Sequence, residues 1–172
     1  MPIRAATMTG VRNRAARPAD VPDMVEVYSA SRRDMQARLG VSTPPPSRAA
    51  LRLAYGHVLS TGMFRVAEAQ GRIVAIAGAV LRDSLWFLSA FWTRPDVQRQ
   101  NIGMPLLREV WDAGVRAGAS TFFTWASPDL TALAAYMKLG MLPGYGIFLF
   151  EGAPDQLPPV PAGYEAAPPR AT

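Results

Sequence analysis

The stretch Thr93-Arg94-Pro95-Asp96-Val97-Gln98-Arg99-Gln100-Asn101-Ile102-Gly103-Met104-Pro105 decides how this chain folds. Leading into it, Leu85 to Thr93 is apolar on both alternations, with Leu85, Phe87 and Phe91 on one and Trp86, Leu88 and Trp92 on the other. That pattern predicts a central strand covered on both sides. Beyond it, Leu106, Leu107, Val110, Trp111 and Val115 recur at helical spacing, and Arg108, Glu109, Asp112 and Arg116 take the opposite face. The quoted residues therefore form a polar loop between a buried strand and a helix that begins near Gly103.

Such a junction has a chemistry of its own. A helix start leaves four backbone N–H groups unpaired and carries a partial positive charge, which suits an anion and particularly a pyrophosphate. Asn101 and Gly103 tolerate unusual backbone angles, and Pro105 gives up only an N–H that the first turn leaves free. Arg99 adds a mobile cation. On this local pattern alone, an ordinary strand–loop–helix connection fits equally well.

Downstream, Thr121 to Ala126 reads as another buried strand, and Ser127-Pro128 as a capped helix start. That helix carries Leu130, Leu133 and Met137 and stops at Gly140; Tyr145 to Phe150 reads as a closing strand. Upstream, Val11 to Ala16 alternates weakly as an opening strand, and Asp20 stands where a helix cap is expected. The following helix runs to about Leu39 with Gly40 as its stop, and Ser47 caps a second that ends at Gly62. Phe64 to Ala69 and Ile73 to Leu81 form a hairpin about Gln70-Gly71, with a second turn at Arg82-Asp83. The order is strand, two helices, three strands, then helix, strand, helix, strand. It predicts an α/β fold whose mixed central sheet is antiparallel in its first half and gains a parallel pair later, flanked by helices.

Composition removes whole classes of chemistry. The 172 residues contain no Cys and one His, so disulfides, thiolate metal sites and Cys nucleophiles are excluded, and a His-based metal cluster or Ser-His triad is disfavoured. No metal is expected. The net charge of +5 comes almost wholly from arginine, Lys138 being the one lysine, and lies in no block. No nucleic-acid partner is expected, and a polyanionic small molecule accounts for the balance equally well. The longest apolar run, Ile73 to Leu81, is far short of the ~20 residues that span a bilayer, so no membrane partner is expected. Arg4, Arg12, Arg14 and Arg17 without an acid superficially suggest a transit peptide, but a flexible start over residues 1–10 is the favoured reading, with a cytoplasmic location. The domain is expected over residues 11–151. The proline-rich stretch 152–172 reads as a tail or linker.

Two motifs resemble those of the GNAT family of acyl-CoA-dependent N-acyltransferases. Thr93-x-Pro95-x-x-Gln98-x-x-Asn101-x-Gly103 is similar to the family's acyl-CoA-binding motif, Val-x-Pro-x-x-Arg/Gln-x-x-Gly-x-Gly/Ala. Asp129-x-x-Ala132-x-x-x-Tyr136-x-Lys138-x-Gly140-Met141 is similar to its second motif, Asn-x-x-Ala-x-x-x-Tyr-x-Lys-x-Gly-Phe. Their order and spacing extend the resemblance over roughly Val11 to Glu151. The departures that matter are Asn101, which replaces the first glycine, and Arg99, which stands where a second is frequent; Asp129 also replaces Asn.

The resemblance implies acetyl-CoA as cosubstrate and an amine acceptor, a small molecule or peptide, that attacks the thioester directly. Backbone at Phe91 and Thr93 would hold the pantetheine arm, and the loop amides of Gln98, Arg99, Gln100, Asn101, Ile102, Gly103 and Met104 the pyrophosphate. Asp129 falls at a cofactor-side position. Tyr136 would act as general acid on the leaving sulfur; the alternative is an aromatic packing its ring and bonding at its tip. Glu68 and Asp83 are candidate bases through water, while Glu26 and His57, with Tyr28, Arg32, Arg33, Met35 and Tyr55, are candidates to line the acceptor side. No base is assigned. A homodimer paired through sheet edges is consistent with such a domain. The main alternative is a catalytically idle acyl-CoA-binding or regulatory module, suggested by Asn101 and by a central strand without a carboxylate.

Overall fold

Alternating apolar residues and left-handed turns build the sheet. The structure is a computed structural model that describes residues 10–147 and 162–163. β1 (Arg12–Ala15), β2 (Met63–Ala69), β3 (Arg72–Arg82), β4 (Leu85–Thr93) and β5 (Thr121–Thr124) lie side by side in chain order. The first three pairings are antiparallel and β4–β5 is parallel, as the order of elements predicts. Gln70 and Gly71 take φ of 52° and 71°, the double left-handed turn that matches strand twist. The second turn sits at Asp83 and Ser84, one residue later than expected, because Arg82 still pairs with Leu85.

Two bulges change which face each residue meets. One lies between Ala67 and Glu68 of β2 and their partners Ala75 and Ile73. The other lies where Gly78 pairs with Ala90 but Ala79 pairs with Leu88, so that Ser89 is the extra residue in β4. Strand side chains alternate with period two, so one extra residue inverts the faces beyond it. Trp86 and Leu88 therefore pack on one side of the sheet, whereas Ala90 and Trp92 pack on the other. The expected grouping of Trp92 with Trp86 and Leu88 assumes unbroken alternation, and the bulge at Ser89 breaks it.

Four helices cover the two faces. α1 (Val21–Leu39) and α2 (Arg48–Thr61) bury Met24, Val25, Val27, Leu51, Tyr55 and Val58 against one. α3 (Gly103–Arg116) buries Leu106, Leu107 and Val110 against the other, where Ala135 of α4 (Leu130–Met137) also packs. Gly40 ends α1 at φ 65°, and Ser47 Oγ accepts the Ala50 N–H at 3.1 Å to start α2. Three expectations fail on detail. Asp20 holds the N-cap position of α1, as expected, but its side chain makes no cap bond; its carboxylate accepts the Arg17 N–H and two bonds from Arg14. Val115 is half exposed, and its place on the buried stripe goes to Gly114, which admits the fully buried Trp86. Asp129 rather than Ser127 caps α4, leaving Leu130 and Met137 exposed.

β5 is half-buried rather than buried, since it pairs on one side only among the described residues. The chain divides into two units, Met1–Leu142, which holds every element above, and Pro143–Thr172. Of the expected closing strand, Tyr145 to Ile147 take no regular structure and 148–150 lie outside the described residues. Residues 1–9 lie outside them too, as does the tail except for 162–163.

Candidate active site

The parallel pair is short, and its shortness makes the site. β4 and β5 pair only from Leu85–Thr121 to Leu88–Thr124, where Thr124 Oγ1 donates to Leu88 O at 3.0 Å. From Ser89 to Thr93, the β4 edge that faces β5 has no strand partner among the described residues. Backbone N–H and C=O groups along such an edge call for partners, and an extended ligand can supply them as a strand would.

The loop after β4 is shaped by its own hydrogen bonds. Arg94 N–H reaches Val74 O at 2.9 Å, and a 3-10 turn over Pro95–Val97 buries Val97. Gln98 then folds back, its Nε2 donating to Thr93 O at 3.0 Å. Arg99 and Asn101 both take left-handed backbone, at φ 63° and 58°, around Gln100. Asn does so at modest cost; Arg lacks that excuse, and its strain is a finding the loop's polarity did not announce. Ile102 is buried and anchors the turn into α3, with Met104 packed against the same cluster. No side chain caps α3, so the amides of its first turn are not claimed by one.

Gly103 fits a space that no side chain could share. A Cβ there would stand 2.9 Å from Thr93 Oγ1 and 3.1 Å from the Phe91 ring. The same Phe91 ring lies 6.1 Å, centroid to centroid, from that of Tyr136 on α4. Phe91, Thr93, Gly103 and Tyr136, from three elements, thus converge beside the open β4 edge. Burial first, and the nearby Asp129 carboxylate second, push the Tyr136 phenol up to about 12. It is a neutral donor at any ordinary pH.

Asp129 lies apart in role from the loop. It is buried, and its Oδ1 accepts the Thr131 and Ala132 N–H groups at 2.8 and 3.3 Å, holding the start of α4. Its Oδ2 accepts Arg38 Nη2 from the last turn of α1 at 2.7 Å. Burial would raise this carboxyl, but the Arg38 bond and the two amides outweigh it and hold it below the usual range.

With that geometry in view, comparison with known proteins is decisive for the family. The pattern of the acetyltransferase (GNAT) family matches residues 24–141, more than half of the chain. The chain belongs to the GNAT acetyltransferase family. No curated protein matches it by sequence. Among solved structures, an acetyltransferase from Clostridium acetobutylicum, crystallised with acetyl-CoA, is 15% identical with a TM-score of 0.66, over 83% of this chain and 96% of that one. An acetyltransferase from Pyrococcus horikoshii is 18% identical with a TM-score of 0.66, over 84% of this chain, which spans only 48% of that one. The ribosomal-protein-S18-alanine N-acetyltransferase from Escherichia coli is 19% identical with a TM-score of 0.61, over 76% and 77%. At these identities the likeness is one of fold.

Tyr28, Tyr55 and Trp92 pack on the opposite face of the sheet. Trp92, next to Phe91 but turned the other way, meets Tyr28 edge-on at 5.1 Å. Arg32 donates to the Tyr28 hydroxyl, to Thr43 Oγ1 and to the Thr43 and Pro44 carbonyls, and Gln36 adds two bonds to Thr43. Arg32 therefore pins the α1–α2 connector instead of standing free. Arg33 is exposed, and Tyr55 is buried edge-on to Phe64. Ser31, which sequence reasoning missed, lies 2.7 Å from Val27 O and 2.9 Å from Thr93 O, joining α1 to the end of β4. A polar residue seven places after Met24 on an apolar stripe was the available signal.

The candidate bases Glu68 and Asp83 are occupied or remote, and the acceptor-side candidates Glu26 and His57 are ion-paired or exposed. Glu68 is ion-paired with Arg14, and Glu26 with Arg48. Asp83 sits in the turn that precedes β4, the far end of a nine-residue strand from Thr93 and so ~25 Å away along it. His57 is exposed and contacts Thr61 of its own helix. Among the described residues, no group of three or more His, Cys, Asp or Glu could hold a metal, and no helix is long and apolar enough to cross a membrane.

Proposed function

We propose that this chain transfers an acetyl group from acetyl-CoA to an amine. The observation that carries the reading is the convergence, beside the unpaired edge of β4, of an uncapped α3 start and a neutral, half-buried phenol. Acetyl-CoA supplies an acetyl group already activated as a thioester. The residues fit it: backbone at Phe91 and the N–H of Thr93, whose carbonyl is already taken by Gln98 and Ser31, offer the edge for the pantetheine arm, and the amides from Gln98 to Met104 offer the cradle for the pyrophosphate. Arg99, exposed on the loop, adds charge for the same phosphates. Asp129 acts on the cofactor side through the helix it caps, since both of its oxygens are engaged.

Tyr136 donates its proton to the departing sulfur. A phenol at this position relieves developing negative charge without bearing charge beforehand. The amine approaches from the Tyr28–Trp92 side of β4, under the connector that Arg32 and Gln36 hold in place. An amine acceptor is supported by the N-acetyltransferase among the structural neighbours.

Calorimetric titration with acetyl-CoA, followed by a screen of amines, tests the reading. Saturable one-site binding that is weakened by Arg99→Glu, together with turnover of at least one amine, is the expected outcome. Binding without turnover would instead mark an idle acyl-CoA-binding module. No binding at millimolar acetyl-CoA would mean that Arg99 and Asn101 have closed the phosphate loop.

A further inference from the structure

The departure of Asp129 from the family's Asn has a counterpart 91 residues away. An amide at a helix cap is neutral; a carboxylate there is charged, and this one is buried. Burying an unpaired carboxylate is costly, so a counter-charge must reach it. Arg38 supplies one from α1, at 2.7 Å, while the other oxygen caps α4. Arg38 is also fixed by Asp34 at 2.9 Å, one turn earlier, so it arrives already oriented. The cap stands seven residues before Tyr136, two helical turns along the same short helix.

We propose that Arg38 is a positioning residue for acyl transfer: by neutralising and tethering the Asp129 cap, it fixes α4 and so the place at which Tyr136 presents its hydroxyl. This rests on the acetyl-transfer reading above, but its machinery is distinct from the phosphate loop. α4 is a two-turn helix with one buried residue, Ala135, so packing alone holds it weakly. An eight-residue helix has little stability of its own. Its start is tied to α1 by the Arg38–Asp129 bond, which crosses from the face carrying the acceptor connector. Asp129 also faces the Tyr136 phenol closely enough to disfavour its ionised form, and Arg38 tempers that charge.

The test compares wild type, Arg38→Ala, Arg38→Lys, Asp129→Asn and the Arg38→Ala/Asp129→Asn double variant. Three readouts are taken: acetyl-CoA affinity by calorimetry, kcat on an amine that the wild type acetylates, and amide exchange across Leu130–Met137. Arg38→Ala should lower kcat roughly tenfold and speed exchange in α4 by a similar factor, with acetyl-CoA affinity nearly unchanged. Arg38→Lys should recover part of the loss. The double variant should recover most of it, because Asn caps as well as Asp and brings no charge that needs Arg38. A double variant no better than Arg38→Ala overturns the proposal, as does an Arg38→Ala enzyme with unchanged kcat. A wild type that binds acetyl-CoA yet acetylates no amine defeats the acetyl-transfer reading itself and this role with it. In that case the exchange data still report whether Arg38 holds α4, so the two failures are told apart.

Discussion

Phe91 of β4 and Tyr136 of α4 pack ring against ring, their planes inclined by 57°. The contact fixes the ring of Tyr136 and leaves its hydroxyl as the part that differs from phenylalanine. Tyr136→Phe should therefore keep the fold and the acetyl-CoA affinity while kcat falls about 10²-fold, the usual worth of a positioned general acid. Steady-state kinetics beside calorimetry check this, and an equal loss in affinity would point to packing instead of proton donation.

The same phenol predicts a pH effect on stability. Its pKa is raised from 10.0 to about 12, by burial first and Asp129 second. Below pH 10 both folded and unfolded states keep the proton, and stability is unaffected. Between 10 and 12 the unfolded state loses its proton and the folded state does not, so stability falls as pH rises, by about 2 kcal/mol across the window. Thermal melts from pH 8 to 12 should show a shallower decline in Tyr136→Phe than in wild type.

Gly103 is the loop position most exposed to substitution. An added methyl would press on Thr93 Oγ1 at 2.9 Å and on the Phe91 ring at 3.1 Å. Gly103→Ala should weaken acetyl-CoA binding roughly tenfold by displacing the first turn of α3, at a smaller cost in stability. Unchanged affinity in a titration would show that the turn is not part of the cradle.

Most of the architecture was legible because period and turn chemistry agree. Leu85–Thr93 is bounded as the sequence indicates, Gly40 and Gly62 stop their helices, and Ser47 starts the second. What escaped was what a single inserted residue or a distant partner decides. The bulge at Ser89 turns Trp92 toward Tyr28, and nothing in Leu-Trp-Phe-Leu-Ser-Ala-Phe-Trp-Thr announces it. Asp20 looked like a cap from local spacing but is drawn away by Arg14, which Glu68 also holds. The motif residues Phe91, Thr93, Gly103 and Tyr136 meet as a group, whereas the partners that hold them, Ser31 and Arg38, lie on α1 and carry no motif.

Asn101 tests how the loop tolerates the loss of a glycine. Its φ of 58° lies where Asn is accepted and a β-branched residue is not. Asn101→Gly should leave stability within about 0.5 kcal/mol and acetyl-CoA affinity equal or better, since relief of strain offsets the added freedom of the unfolded chain. Asn101→Val should cost about 1–2 kcal/mol and weaken binding. Denaturant melts of the pair settle whether the left-handed turn, as opposed to the amide side chain, is what the site requires.

Gly114 makes the sharpest demand in the core. Trp86 is fully buried, edge-on to Trp111 at 5.7 Å and tilted against Phe122 at 5.2 Å, and its ring lies where a Cβ on Gly114 would come within 2.4 Å of Cδ1. The indole is packed in the same buried cluster as Leu106, Leu107 and Val110, which hold α3 down. Gly114→Ala should therefore destabilise the protein by about 2–3 kcal/mol, although alanine alone would favour a helix. If the loop at the other end of α3 holds the phosphates as proposed, the variant should lose acetyl-CoA affinity only to the extent that the whole helix tilts. A melt lowered with affinity intact would show that Trp86 absorbs the strain locally; a melt left unchanged would mean that the indole does not sit against Gly114 at all.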